Sequence, residues 1–339
     1  MPMPEPEPEP EPELRFVFIG VSTSASSIQR IFPAWMAALG RPNVVLQGID
    51  LPLGASGTEM VALVDDLRTD VQVVGALVTS HKLSVFRECR ENFAQLSPVA
   101  LQLEEVSGIY KSATGMVGWA ADPPAMAVAL DRMGVDPQYW ARHTKAEVVC
   151  FGCGGAATAL AYAIYGGDDA TIALPRLRVT DVDLQRLADL ERKCKNFLPL
   201  SMGRVTFHRA DQADADGWPV GLPPPHSVIV NATGMGKDLP GSPLATTAQF
   251  PAGAVIWELN YRGERDFLHQ AASSPEHLGV RIVDGWELFL LGWTSVLERV
   301  FAMKLSDAQM EELSWLAAEA VGRHVPTTLP VAEPSAPRT

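Results

Sequence analysis

A chain of 339 residues is longer than one hydrophobic core usually serves, so two domains are expected. Its apolar fraction of 47% and charged fraction of 20% are those of an ordinary globular protein. The net charge of −13, with no basic cluster to neutralise phosphates, excludes nucleic acid as a partner class.

Residues 1–13, MPMPEPEPEPEPE, alternate proline with glutamate. Missing amide donors and mutual repulsion of the glutamates predict an extended, disordered tail, and no apolar stretch there suits a secretion signal. Residues 326–339 read as a second loose end. Four cysteines are too few for a disulfide framework, and a cytoplasmic location is expected. Two of them form Cys150-Phe-Gly-Cys153, but neither a second pair nor a histidine pair accompanies it. Small buried side chains at a strand end explain it better than a metal, so no metal is assigned. The run from Val148 to Gly167 carries no charge over twenty residues, which is membrane-span length. Its clustered glycines break it into strand, turn and helix, and no membrane partner is expected.

In chain order, Leu14–Val21 is a β-rich apolar run, followed by a serine-rich turn and an amphipathic segment, Ile28–Leu39. Short strands are predicted at Asn43–Ile49 and Val71–Val78, each followed by a helix, Gly57–Leu67 and Leu83–Gln95. This alternation predicts a mainly parallel sheet covered by helices. The pattern breaks at Asp122-Pro-Pro and restarts as a helix over Ala125–Met133. Further strands are predicted at Ala146–Phe151, Thr171–Leu174 or Arg178–Thr180, Val205–His208, Ser227–Asn231, Ala254–Glu258 and Gly279–Val283. Helices Trp286–Met303 and Asp307–Val321 close the chain.

Gly152-Cys-Gly154-Gly155-Ala156 lies between the strand EVVCF and the helical segment ATALAYAIY. The first glycine permits a tight turn, and the next ones let backbone amides approach a pyrophosphate at a helix N-terminus. Such a turn expects a carboxylate about 20 residues on, to hold ribose hydroxyls. Asp181 comes 26 positions after Gly155, with Asp183 close behind. A carboxylate there repels a 2′-phosphate, which favours NAD over NADP. Arg176 and Arg178 carry the rival NADP reading if the strand ends earlier, and both acids could simply solvate a helix start.

At this point the chain resembles the shikimate/quinate dehydrogenase family over about Phe16 to Val300. VVCFGCGGAATALAYAI resembles its cofactor loop, and Asn231-Ala-Thr233-Gly234-Met235-Gly236 its second glycine-containing loop, on the nicotinamide side. Glu258-Leu-Asn-Tyr261 is similar to its Asp-x-x-Tyr strand, and Asp284-Gly285-Trp-Glu-Leu-Phe-Leu to the segment returning to the first domain. The resemblance implies a catalytic pair: Lys82 in LVTSHK and Asp122 in Gly118-Trp-Ala-Ala-Asp122. A lysine there takes or relays the proton of an alcohol as hydride leaves, and the carboxylate orients ammonium and hydroxyl. The family's carboxylate-binding serines match Ser24 and Ser26, and its tyrosine matches Tyr261.

Other family positions differ. The asparagine and threonine of the lysine motif become Ala76 and Val78, and the Asn-Thr before the aspartate becomes Ala120-Ala121. A pocket asparagine aligns with Lys111, which brings a second positive charge, and a glutamine aligns with Gly292. Trp119, Trp286 and Trp293 add aromatic bulk. A site that loses its hydroxyl partners no longer suits a polyhydroxylated ring. The resemblance therefore implies a changed substrate: a small carboxylated molecule, cyclic, with fewer hydroxyls than shikimate.

The expected architecture is two α/β domains with a cleft between them. An N-terminal substrate domain runs over 14–123 and is completed by C-terminal helices over 285–325, and a Rossmann-type, doubly wound NAD-binding domain occupies 124–284. The resemblance allows a homodimer. The competing reading is a non-catalytic NAD-binding regulatory protein on the same fold.

Overall fold

A computed structural model describes residues 12–166, 174–198, 202–237 and 239–323. Both expected tails lie essentially outside these residues, as does all but Leu174 of the alternative strand at Thr171–Leu174. Two compact units are present, 12–120 with 296–323, and 121–295.

The first unit runs through β1 (Leu14–Gly20), α1 (Ile28–Ala38), β2 (Val44–Asp50), α2 (Gly57–Thr69), β3 (Val73–Val78) and α3 (Lys82–Cys89). It continues through β4 (Gln95–Leu96), α4 (Pro98–Leu103), β5 (Gly108–Ser112) and β6 (Gly115–Trp119). Its six strands lie in the order β2-β1-β3-β5-β6-β4. The first three are parallel, as the strand–helix alternation predicts. The sheet as a whole is mixed, because β5 runs antiparallel to both β3 and β6. The cause is local: Ser112 Oγ accepts from the Thr114 amide (3.2 Å) and donates to the Gly115 carbonyl (2.8 Å), which closes a tight hairpin. The predicted helix Leu83–Gln95 is also shorter than its pattern. After Cys89 the chain makes one 3-10 turn, and the Ala94 amide bonds the Met116 carbonyl (2.8 Å), drawing Gln95–Leu96 into the sheet.

The second unit contains α5 (Asp122–Arg132), α6 (Pro137–Arg142), β7 (Glu147–Phe151), α7 (Gly155–Tyr165), β8 (Arg176–Asp181), α8 (Leu184–Phe197) and β9 (Val205–Arg209). It continues with β10 (Val228–Asn231), β11 (Val255–Glu258), α9 (Asp266–Ala272) and β12 (Arg281–Val283). Helix α5 starts three residues ahead of the expected Ala125, since proline is well suited to a first helical turn. All pairings in the second sheet are parallel, in the order β12-β11-β10-β7-β8-β9. Counted from β7, that is the 6-5-4-1-2-3 order of a doubly wound dinucleotide fold. Every residue of β7, β10 and β11 is buried, as strands covered on both faces require.

Helix α10 (Trp286–Val300) leads the chain out of the second unit, and α11 (Asp307–Val321) ends the described part of the first. Helix α11 starts at a capping box between Ser306 and Gln309 and packs on α1. There the fully buried Trp35 donates its indole N–H to the Leu313 carbonyl (2.7 Å). Removing that donor while keeping an aromatic ring leaves a small void and a lost bond. Trp35→Phe is expected to lower unfolding stability by about 1–3 kcal/mol, read from the urea midpoint at unchanged m-value.

Candidate functional site

The carboxyl edge of the second sheet is where a doubly wound fold binds ligands, at the point where strand order reverses between β7 and β10. The sequence places both glycine motifs there. Gly152 follows β7 with φ +92, and a Cβ on it would lie 2.8 Å from the Ala232 carbonyl oxygen, in the loop after β10. Only glycine fits both the left-handed backbone and that approach. Gly154 is the N-cap of α7 and offers no side-chain cap, and a Cβ on it would meet nothing within 4 Å. The first-turn amides of α7, from Gly155 and Ala156 onward, therefore receive no side-chain acceptor from the N-cap. This cradle fits a pyrophosphate.

Asp181 ends β8, beside this turn. Its Oδ2 accepts from the Cys153 amide (2.8 Å) and its Oδ1 from the Asp183 amide (2.9 Å). Each carboxylate oxygen keeps a further lone pair, so the group is oriented by backbone and can still accept from hydroxyls. Asp183 instead caps α8, accepting from the Gln185 and Arg186 amides (2.9 and 3.2 Å). The rival arginines lie elsewhere along β8. Arg176 opens the strand, and Arg178 pairs with Glu147 at the start of β7 (2.5 Å). Because β8 extends to Asp181, neither arginine stands at its carboxyl end. Both cysteines of the CxxC are buried, and burial pushes the Cys150 thiol up to about 12 and raises Cys153 as well. Such thiols are not nucleophiles at neutral pH.

The loop after β10 is held by buried side chains. Asn231, fully buried, accepts on Oδ1 from the Thr233 amide (3.1 Å) and hydroxyl (2.6 Å), and donates to Glu258 Oε2 (2.6 Å). Glu258 Oε1 accepts from the amide and side chain of Asn260 (2.8 and 2.7 Å), and Asn260 Nδ2 also lies within bonding distance of the Thr233 and Met235 carbonyls (3.1 and 3.2 Å). The Met235 amide donates to Thr233 Oγ1 (3.1 Å), while Gly234 accepts from the amides of Lys237 (3.2 Å) and Leu239 (2.9 Å). Gly285 sits against the same segment, where a Cβ would fall 2.0 Å from the Leu259 carbonyl oxygen. Tyr261 stacks on Phe289 (4.2 Å between centroids), which stacks in turn on Trp286 (5.5 Å).

In the first unit, Lys82 is the first residue of α3, just beyond the carboxyl end of β3. Buried His81 braces that helix start by donating Nε2–H to the Leu51 carbonyl (2.9 Å), a structural role. Ser24 and Ser26 follow β1 in a turn in which the Ser26 amide bonds the Thr23 carbonyl (3.0 Å). Asp50, at the end of β2, anchors that turn by accepting from the amide and hydroxyl of Thr23 (2.6 and 2.5 Å). These bonds, the hydroxyl's first, hold its carboxyl below the usual range. Ser24, Ser26 and Lys82 thus all lie at the carboxyl end of the β1–β3 sheet. Lys111 does not: its ammonium donates to the Asp70 carbonyl, ahead of the amino end of β3. Asp122 opens α5 in the second unit. Ala76, Ala120 and Ala121 are buried, and Trp119 and Trp293 belong to the core rather than to an open wall.

Three contributors are absent from the sequence reading. Asp50 could have been found as an acid ending a parallel strand, whereas Glu258 and Asn260 stood inside a recognised motif, but their burial has no sequence signal. Burial raises the Glu258 carboxyl from 4.5 to about 7, against the pull of its Asn260 and Asn231 donors. A carboxyl whose folded value is raised contributes stability that is fully present below about 4.5 and is lost as pH climbs through 7. The stability of wild type relative to Glu258→Gln is expected to fall by about 3 kcal/mol between pH 4.5 and pH 8, measured by urea unfolding.

No family model matches the chain. By sequence it is 26% identical over 280 residues to the shikimate dehydrogenase (NADP(+)) of Caulobacter vibrioides, covering 80% of this chain and 84% of that protein. Quinate dehydrogenase from Corynebacterium glutamicum, solved in complex with NAD, superposes with a TM-score of 0.67 at 22% identity, over 89% of this chain and 98% of that one. Shikimate 5-dehydrogenase from Thermus thermophilus, in complex with NADP(H) and shikimate, superposes at 0.63 with 20% identity, over 90% and 99%. Shikimate 5-dehydrogenase from Listeria monocytogenes, in complex with shikimate and NAD, does so at 0.65 with 17% identity, over 89% and 96%. The structural likeness shows that the chain has the fold of the shikimate/quinate dehydrogenases, and its sequence similarity to them is weak.

Proposed function

We propose that the protein is an NAD-dependent oxidoreductase that interconverts a secondary alcohol and a ketone on a small, cyclic carboxylic acid other than shikimate. The observation that carries this reading is the open, uncapped N-terminus of α7 next to Asp181, at the switch point of the second sheet. When bound, the nicotinamide accepts or returns the hydride. Gly152, Gly154, Gly155 and Ala156 would cradle the pyrophosphate, and Asp181 would accept from the ribose hydroxyls. Asn231, Thr233, Gly234, Met235 and Gly285 would shape the nicotinamide side.

Lys82 takes the hydroxyl proton during oxidation and returns it during reduction, and Asp122 matches the catalytic carboxylate of the family the chain resembles. Ser24 and Ser26 hold the substrate carboxylate by hydroxyl donors, with their turn fixed through Thr23 and Asp50. Lys111 has no part in this reading. Alanine and valine at 76, 78, 120 and 121 leave few partners for ring hydroxyls, which favours an apolar ring and a role in specialised metabolism. A cytoplasmic homodimer is the expected form. The presence of both Lys82 and Asp122 favours this enzyme over a regulatory NAD-binding protein.

Lys82→Ala is expected to cut turnover of any active cyclic hydroxy acid by about 10²–10⁴-fold with the Kd for NADH nearly unchanged, measured by nicotinamide absorbance and fluorescence. A regulatory protein would show no turnover to lose. NAD should outperform NADP in kcat/KM by roughly 10–100-fold, the worth of charged hydrogen bonds from Asp181, and Asp181→Ser should close most of that gap.

A further inference from the structure

Among the described residues, the buried carboxylate of Glu258 has no place in the chemistry above. It is 0% exposed and lies at the carboxyl end of β11, one strand beyond the switch point. Three donors converge on its two oxygens: Asn231 Nδ2, the Asn260 amide and Asn260 Nδ2. Each donor belongs to a side chain or segment that also grips the loop after β10. Asn231 Oδ1 orients Thr233, and Asn260 Nδ2 reaches the Thr233 and Met235 carbonyls. The loop's own backbone closes few bonds of its own within 231–235, so its shape is set by these side chains. The charged groups facing this cluster are Arg265, which lowers the carboxyl's affinity for a proton, and Asp284, which pairs with Arg265 at 3.0 Å.

Resting on the cofactor reading above, we infer that Glu258 is a positioning residue: through Asn231 and Asn260 it holds the Asn231–Met235 loop in the shape that receives the nicotinamide half of the cofactor. A carboxylate suits this task because it can accept from every donor around it. Glutamine at the same place turns one acceptor into an NH2 group aimed at another donor, and no rotation of Asn231 repairs this while Thr233 needs its oxygen. The adenosine and pyrophosphate half would be held instead at the α7 N-terminus and Asp181, which share no hydrogen bond with this cluster among the described residues.

The test separates the two halves of the cofactor. NADH and ADP-ribose, which lacks the nicotinamide, are titrated against wild type and Glu258→Gln by calorimetry at pH 8. NADH should bind the variant roughly tenfold or more weakly, while ADP-ribose binds both proteins alike. Asn260→Ala, which keeps the Asn231–Glu258 bond but frees the two loop carbonyls, should show the same NADH-only loss and serves if Glu258→Gln does not fold. Equal NADH affinity in wild type and variants overturns the positioning role alone, as does an equal loss for NADH and ADP-ribose. Failure of wild type to bind either ligand overturns the cofactor reading itself.

Discussion

The close approach of two backbones at the centre of the second sheet constrains everything built at its carboxyl edge. The turn after β7 and the loop after β10 touch at Gly152 and Ala232, with no space for a side chain between them. That contact exists because β10 crosses back to pair with β7 rather than with β9. It brings the α7 amides, the Asp181 carboxylate and the Asn231–Met235 loop to one edge. A side chain at 152 would have to push the loop away, and the loop carries its bracing network with it.

Two different means hold the two sides of that edge. The α7 side is held by regular structure: a helix start with orphan amides, and a strand-end carboxylate fixed by two backbone donors. The β10 side is held by a buried polar network around Glu258, fully bonded and therefore specific in shape. Burial resists the charge and the donors favour it, so the carboxyl titrates near neutrality instead of near 4.5. A network of this kind defines one loop conformation at a cost in stability that rises with pH.

The parts of the fold that follow from local pattern were legible in the sequence. Alternating apolar strands and helices announced β1 to β3 and β7 to β12, and helix α11 fell on its expected bounds. The hairpin β5–β6 has little local signature, because its strands are short and rich in glycine, and its turn is the ordinary Ser-Ala-Thr-Gly. Helix α8 went unnamed because its charged face dominates the composition of LQRLADLERKCKNF. The family resemblance aligns Lys111 in GIYKSA with a pocket asparagine. The antiparallel course of β5 instead sends the ammonium to Asp70, at the opposite end of the sheet from Lys82. Burial of Glu258 depends on α-carbon neighbours distant in sequence, which no local window carries.

The same contrast separates two kinds of recognition. Pyrophosphate recognition uses backbone amides and the absence of side chains, so it survives wherever the glycines and the strand order survive. Substrate recognition uses side-chain donors at single positions, and each can be lost without harm to the fold when a small apolar residue fills the place. Ala76, Ala120 and Ala121 are all buried, and none leaves a polar group to satisfy. The turn that carries Ser24 and Ser26 is fixed by the bonds from Thr23 to Asp50. A backbone cradle therefore depends on chain path and glycine positions, whereas a side-chain contact depends on one residue and can change while the fold stays.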